Sequence, residues 1–240
     1  TLNNVLYITL VLKQLTVYMQ IKKLFIASAL LITNLFIPNA AIAQNRGTPG
    51  KFDFYVLTLS WSPDYCATNG TRDQQQCGSG RKLGFVLHGL WPQYQTGYPA
   101  NCSTQKLPSE VKQQFANLYP SNKLYDHEWE KHGTCSGKTP AEYLGLSKKL
   151  KDAIAIPAAY NSPDKPLRTT ITNFKNSFVS ANNQVTADGI APFCSGSGRF
   201  LQEVFFCYSK NGEPGICSAE ILKRSQKSCG QPDFLLRNVR

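Results

Sequence analysis

Histidine and methionine are scarce in this chain, and closely spaced cysteine pairs are absent. The 240 residues include three histidines and one methionine, and none of the eight cysteines forms a C-x-x-C pair. The missing pairs argue against a zinc ribbon and against a thioredoxin-like redox motif. The chain also lacks internal repeats, low-complexity tracts and a clear second domain. Its composition, with 42% hydrophobic and 17% charged residues, is that of an ordinary globular protein.

The segment that starts at Met19 has the parts of a secretory signal peptide. Two lysines follow the methionine, then an apolar stretch over 24–37, and then Ala41-Ile42-Ala43, which has the small-x-small pattern of a cleavage site. A membrane anchor is the alternative interpretation. It is disfavoured because the apolar stretch is short for a span of roughly 20 residues and is interrupted by Pro38.

This interpretation divides the chain into three parts. We expect 1–18 to be an upstream segment outside the native protein, 19–43 to be a cleaved signal peptide, and 44–240 to be a single mature domain. The mature protein would be secreted or periplasmic and would keep no membrane anchor. Cleavage removes three lysines and no acid, which lowers the net charge from +11 to +8. The remaining positive surplus favours a polyanionic partner such as RNA or an anionic membrane surface.

All eight cysteines lie in the predicted mature part. An even number of cysteines behind a signal peptide is typical of a disulfide framework formed in an oxidising compartment. The spacing alone leaves the connectivity open, because eight cysteines can pair in about 105 ways.

Apolar patterns predict strands and helices that do not alternate regularly. Short apolar runs indicate strands at 52–59, 83–87 and 200–208, the last followed by a turn at Asn211-Gly212. Helical spacing and capping residues indicate a helix with Val111, Phe115 and Leu118 on one face, a helix from Thr139 toward Ile154, and a helix marked by Ile171, Phe174 and Phe178. Residues 61–80 are predicted to be a loop. The fold class expected is α+β, a single disulfide-stapled domain with a mainly antiparallel central sheet and several helices.

The three histidines lie in two short segments that also contain tryptophan and glycine. His88 follows the second predicted strand in FVLHGLWPQ (85–93), and His127 and His132 share HEWEKHGTC (127–135). The alternative to a functional site is a histidine that caps a strand, together with a solvated charged helix face. The concentration of all three histidines in two such segments favours a site.

The second segment places four polar side chains together if it is helical. Residues four apart on a helix are neighbours, so one patch is formed by His127, Glu128, Lys131 and His132. Trp129 would then point into the core, and Gly133 would end the helix.

This patch has the groups needed to cleave a phosphodiester beside a 2′-hydroxyl. The reaction needs a base, an acid and positive charge for a phosphorane-like transition state. Histidine serves as either base or acid because its ordinary pKa is about 6.5. Lys131 would supply the charge, and Glu128 could orient an imidazole or bind a phosphate oxygen.

A zinc site is the competing interpretation, since HE followed by a histidine is similar to H-E-x-x-H. Here the two histidines are five residues apart, so their rings diverge by about 140° on an ideal helix. Lys131 would also place a cation beside the metal. We therefore expect no metal and no cofactor.

The segments LHGLWP (87–92) and HEWEKHGTC (127–135) resemble the two active-site signatures of the ribonuclease T2 family, which are secreted, metal-free endoribonucleases with little base specificity. FDFYVLTLSWSPDYC (52–66) and GYPANC (97–102) are similar to further segments of that family. The resemblance extends over 52–230, which is nearly the whole predicted mature chain.

The resemblance implies a role for each site residue. His132 would be the general base that takes the 2′-hydroxyl proton, and His88 the general acid for the leaving 5′-oxygen. The pentacovalent transition state would be stabilised by His127, Glu128 and Lys131. Single-stranded RNA would be cleaved through a 2′,3′-cyclic phosphate, and DNA would not, because it lacks the nucleophile. A catalytically silent RNA-binding or storage protein of the same fold is an alternative, as is a metal-dependent hydrolase.

The resemblance also implies a base-binding surface and a disulfide pattern. Trp91 and Tyr98 would stack on the base 5′ to the scissile bond, with ordinary core packing as the alternative. Gln93 occupies a position where the family often has an acidic or amide residue. The implied disulfides are Cys66–Cys77, Cys102–Cys135, Cys194–Cys229 and Cys207–Cys217. The protein is expected to be a monomer.

Overall fold

The computed structural model of the protein describes residues 47–70 and 72–239. The predicted upstream segment (1–18) and signal peptide (19–43) lie outside these residues. The strands are β1 Phe54–Trp61, β2 Phe85–Gln93, β3 Leu167–Thr169, β4 Ile190–Ser195, β5 Phe200–Tyr208 and β6 Phe234–Leu236. The helices are α1 Ser62–Asn69, α2 Gln74–Cys77, α3 Ser109–Gln114, α4 Lys123–Lys131, α5 Pro140–Asp152, α6 Ala158–Asn161, α7 Ile171–Ala181 and α8 Ala219–Ser228. Within the described ranges, no helix is both long enough and apolar enough to cross a membrane.

One mainly antiparallel sheet organises these elements. The strand order is β2-β1-β5-β6-β3, and β4 pairs with β5 outside this path. The pairing between β5 and β6 is parallel, at Phe200 and Leu235, and the other pairings are antiparallel. The predicted α+β class with a mainly antiparallel sheet is therefore confirmed.

Strand β1 lies inside the sheet, and this position explains the apolar run over 52–59. All eight of its residues are buried, because it is paired on both edges and covered on both faces. Tyr55, Leu57 and Leu59 belong to the main core, while Phe54 and Val56 belong to a smaller cluster on the opposite face. This alternation follows from the two-residue period of a strand.

A β-bulge in β2 decides which side chains face the site. The register between β2 and β1 shifts by one residue at His88, so that Thr58 lies opposite Gly89 and Leu59 lies opposite Leu87. His88 is the extra residue of the bulge. Residues three apart in a regular strand point to opposite faces, yet the bulge puts His88 and Trp91 on the same side of the sheet.

The region 61–80, predicted to be a loop, contains helices α1 and α2, so that prediction was wrong. Helix α1 has Pro63 in its first turn, where the missing N–H is tolerated. Helix α2 is capped by Asp73, whose carboxylate accepts a hydrogen bond from the backbone N–H of Gln76 at 3.3 Å. The many polar and turn-forming residues of this region concealed two short capped helices.

The helix predicted to include Leu118 is shorter than expected. It ends at Gln114, and Asn117 adopts a left-handed conformation with φ of 67°. Phe115 and Leu118 still pack against the main core, so their spacing reflects burial in an irregular turn. The capping box of helix α5 is present as predicted, with Thr139 and Glu142 bonded reciprocally.

Four disulfides staple the domain, and they are the four pairs that the family resemblance implies. The Cys102–Cys135 bridge joins the loop after β2 to the 3₁₀ turn that follows helix α4. It therefore joins the loop that follows the first histidine segment (85–93) to the end of the second (127–135).

Candidate active site

Helix α4 presents its polar patch because its other face is anchored in the core. Trp129 is fully buried in the main core, as predicted, and its indole N–H donates to the carbonyl of Gln105 at 2.8 Å. The helix ends at Lys131, one residue before His132. His132 remains attached to the last turn because its backbone N–H donates to the carbonyl of Glu128 at 3.0 Å.

Gly133 has a different role from the one predicted. It does not end the helix in a left-handed conformation but begins the 3₁₀ turn Gly133–Cys135. A Cβ at this position would collide with the ring of Trp129 and would press on Tyr143. Glycine is therefore required here by close packing of the helix against the core.

Glu128 connects helix α4 to strand β2. The indole N–H of Trp91 donates to Glu128 Oε2 at 2.6 Å. Gly89 allows this approach, since a Cβ there would collide with the carboxylate and with the indole nitrogen. The other oxygen, Oε1, is buried and has no hydrogen-bond partner among the described residues. It lies 3.7 Å from His88 Nε2 and 3.9 Å from His127 Nε2.

Burial changes the ionisation of Glu128. The loss of hydration raises its pKa to about 7, against the opposing effects of His88, of the hydrogen bond from Trp91 and of Lys131. A carboxyl group with such a pKa exists in both protonation states near neutral pH. It can therefore accept or donate a hydrogen bond toward the space between the histidines.

His88 is bonded to a carboxylate, that of Glu203, which the sequence analysis missed. Its Nδ1 donates to Glu203 Oε1 at 2.5 Å, and its Nε2 faces Glu128. Burial lowers the pKa of His88, but the hydrogen bond and the negative charge of Glu203, together with Glu128, outweigh this effect and raise it. The protonated imidazolium is thus favoured at this position.

His132 lies in a different environment from His88. It is 4% exposed, and its ring stacks on Trp91 with centroids 5.1 Å apart. Burial, and then the positive charges of Lys131 and the other two histidines, hold its pKa well below the ordinary value. The neutral imidazole is favoured here, so the two imidazoles that contact Trp91 favour opposite protonation states.

The remaining members of the patch are more exposed. Burial and the nearby Lys131 and His88 lower the pKa of His127, whose side chain is 55% exposed. The lysine ion pairs found among the described residues do not involve Lys131. Its ammonium group lies 5.9 Å from the centre of the Tyr98 ring, so its charge is available to an anion at the site.

The three residues expected to bind a base lie in different settings. Trp91 is partly buried and packs against His132, His88 and Phe205. Tyr98 is 49% exposed, and its ring centre lies 6.0 Å from that of His132. Gln93 is 7% exposed, and its amide N–H donates to the carbonyl of Pro92.

Two site residues were missed by sequence reasoning, Glu203 and Ser60. Glu203 is the one charged residue in the mainly apolar strand β5, and this pattern in the sequence could have indicated a functional role. Ser60 carries no comparable signal in the sequence. Within residues 47–70 and 72–239, no group of three or more His, Cys, Asp and Glu side chains has the arrangement of a metal site.

Comparisons with known proteins agree with this fold. The family model described as Ribonuclease T2 family matches residues 52–217. A ribonuclease of Aeromonas hydrophila is 40% identical, with 91% of this chain and 100% of the relative covered. Ribonuclease 1 of Arabidopsis thaliana is 30% identical, with 83% of this chain and 97% of the relative covered. The solved structure of ribonuclease MC1 from bitter gourd seeds superposes with a TM-score of 0.54 at 23% identity, covering 67% of this chain and 91% of that chain. The chain therefore belongs to the ribonuclease T2 family and is an endoribonuclease of the T2 type.

Proposed function

We propose that the enzyme cleaves single-stranded RNA by transphosphorylation, with His132 as general base and His88 as general acid. The observation that carries this proposal is the contrast between two environments: His88 is hydrogen-bonded to the carboxylate of Glu203, whereas His132 is buried against Trp91. The first environment raises the pKa of His88, and the second lowers the pKa of His132. A base must be neutral and an acid must be protonated in the same enzyme molecule. The two environments support this division of labour.

In the first half of the reaction, neutral His132 removes the proton of the 2′-hydroxyl, and the 2′-oxygen attacks the phosphorus. The bond to the 5′-oxygen breaks, and His88 gives its Nε2 proton to that oxygen. The products are a 2′,3′-cyclic phosphate and a free 5′-hydroxyl. DNA is not cleaved, because it has no 2′-hydroxyl.

The charge that develops on the phosphate is stabilised by Lys131, His127 and Glu128. The ammonium group of Lys131 attracts the anion directly. Glu128 Oε1, which has no hydrogen-bond partner within the described part of the chain, faces His88 and His127. In its protonated form the carboxyl group can donate to a phosphate oxygen. Its pKa of about 7 makes that form available at neutral pH.

The base 5′ to the scissile bond stacks on the aromatic surface of Tyr98 and Trp91. Stacking tolerates every base and is worth about 1–3 kcal/mol per base. It also requires an unpaired base, which favours single-stranded RNA. Gln93 is two residues after Trp91, at the end of β2. We further propose that the enzyme acts as a monomer outside the cytoplasm, after removal of 19–43.

The test is digestion of homopolymeric RNAs and of single-stranded DNA in excess EDTA, followed by analysis of the 3′ ends. We expect cleavage of several RNAs, cyclic-phosphate ends and intact DNA. The variant His132→Ala, purified in the same way, is the control for contaminating nucleases. Cleavage of DNA, or a loss of activity in EDTA that zinc restores, would contradict the proposal.

A further inference from the structure

Three neighbouring strands bring together Ser60, His88 and Glu203. The strand order places β1 between β2 and β5, and Ser60 of β1 is directly paired with Glu203 of β5. The hydroxyl of Ser60 donates to Glu203 Oε1 at 3.1 Å and lies 3.3 Å from His88 Nδ1. The same carboxylate oxygen accepts from His88 Nδ1.

This arrangement leaves Glu203 little freedom. Its side chain is 16% exposed, so the carboxylate lies in a medium where charge-assisted hydrogen bonds are strong. The hydrogen bond from Ser60 and the strand pairing fix the oxygen at one end of the imidazole. The other end, Nε2, is directed toward Glu128 and the space between the histidines.

We infer that Glu203, held in place by Ser60, is a positioning residue for His88, an inference that rests on the proposed function. The carboxylate keeps a proton on Nδ1, so that the mobile proton of His88 is the one on Nε2. When Nε2 has protonated the leaving 5′-oxygen, Nδ1 still donates to Glu203. The ring therefore keeps its orientation through the step, and its Nε2 lone pair faces the site afterwards.

The other charged groups that face His88 do not replace this contact. Glu128 and Lys131 of helix α4 act on it through space with opposite signs. Behind the ring, Asp64 and Arg237 form an ion pair with each other at 2.8 Å. Lys123, which lines the same side, is paired with Asp73. None of these charged groups forms a hydrogen bond with the imidazole of His88, whereas Glu203 does.

The experiment compares Glu203→Gln with the wild type in the pH profile of kcat/KM. Activity falls on the alkaline side as His88 and Glu128 lose their protons, and the negative charge of Glu203 raises the pKa of both groups and so moves this fall to higher pH. The glutamine retains an acceptor oxygen but not the charge. We therefore expect the alkaline limb to move to lower pH, while the acid limb, which reports His132, stays in place.

A second substrate separates positioning from stability. A nucleoside 3′-(4-nitrophenyl phosphate) has a leaving group that hardly needs a proton. Glu203→Gln should lose on the order of tenfold in kcat on RNA, by analogy with the carboxylates that orient metal-bound histidines. It should lose much less on the nitrophenyl substrate. Glu213→Gln, which removes an exposed carboxylate just after β5, should match the wild type on both substrates.

Two outcomes would overturn the inference. One is an alkaline limb that stays at the wild-type pH, and the other is an equal loss of rate on both substrates. If Glu203→Gln does not fold, Ser60→Ala decides, since it should move the same limb in the same direction by a smaller amount. Failure of the proposed function has a separate signature, because His88→Ala would then lose as much on the nitrophenyl substrate as on RNA.

Discussion

Replacing Glu128 with glutamine should make the enzyme more stable at alkaline pH and less active. The folded state holds the pKa of this carboxyl at about 7, mainly through burial, against an unfolded value of about 4.5. A raised carboxyl pKa contributes stability that is present at low pH and is lost as pH rises from the unfolded pKa to the folded pKa. Since one pKa unit corresponds to about 1.4 kcal/mol, ionising Glu128 costs about 3 kcal/mol in all. About 2–3 kcal/mol of this loss falls between pH 5 and pH 8.

The assay is urea denaturation of the wild type and of Glu128→Gln at both pH values. The free energy of unfolding of the variant minus that of the wild type should increase by about 2–3 kcal/mol from pH 5 to pH 8. Glu142→Gln is the matched control. The hydrogen bonds from Thr139 lower the pKa of the Glu142 carboxyl, so its difference from the wild type should be the same at both pH values. A Glu128→Gln difference that does not change with pH would refute the reasoning.

Two further predictions follow from the disulfides and the N-terminal segment. The Cys102–Cys135 bridge has a sequence separation of 33, for which loop-closure entropy gives a stabilisation of about 4 kcal/mol. Replacing both cysteines with alanine should lower the free energy of unfolding by about that amount and should reduce activity. In the matched control, the pair Cys207–Cys217 with a separation of 10, the loss should be about 3 kcal/mol, with activity retained under folded conditions. Peptide mapping that joins Cys102 to another cysteine would contradict the connectivity. N-terminal sequencing of the exported protein should find Gln44 as the first residue, and retention of 1–43 would show an anchor.

The helical half of the site could be predicted from the sequence because its residues are local. The helical spacing directs Trp129 into the core, and the structure has this arrangement. The backbone N–H of His132 donates to the carbonyl of Glu128, which keeps His132 on the last turn of the helix. The strand at 200–208 and the capping box at Thr139 are equally local signals, and both are confirmed.

The other half depends on pairings that local patterns do not encode. Glu203 is 115 residues away from His88 in the chain, and the two meet only because β1 pairs with both of their strands. The bulge at His88 is also set by this pairing, so β2 was predicted to end at residue 87 although it continues to Gln93. Gly133 was assigned to a helix cap because its neighbours Trp129 and Tyr143 could not be placed around it from the sequence.

The division of labour between His88 and His132 is tested most directly by the rates of His88→Ala on two substrates. On RNA, loss of a general acid should lower kcat by about 10²–10⁴-fold. On a nucleoside 3′-(4-nitrophenyl phosphate), most of that loss should disappear, because the leaving group departs without a proton. His132→Ala should be inactive on both substrates, since each requires a base for the 2′-hydroxyl. An equal loss of rate by His88→Ala on the two substrates would contradict the assignment of His88 as the general acid.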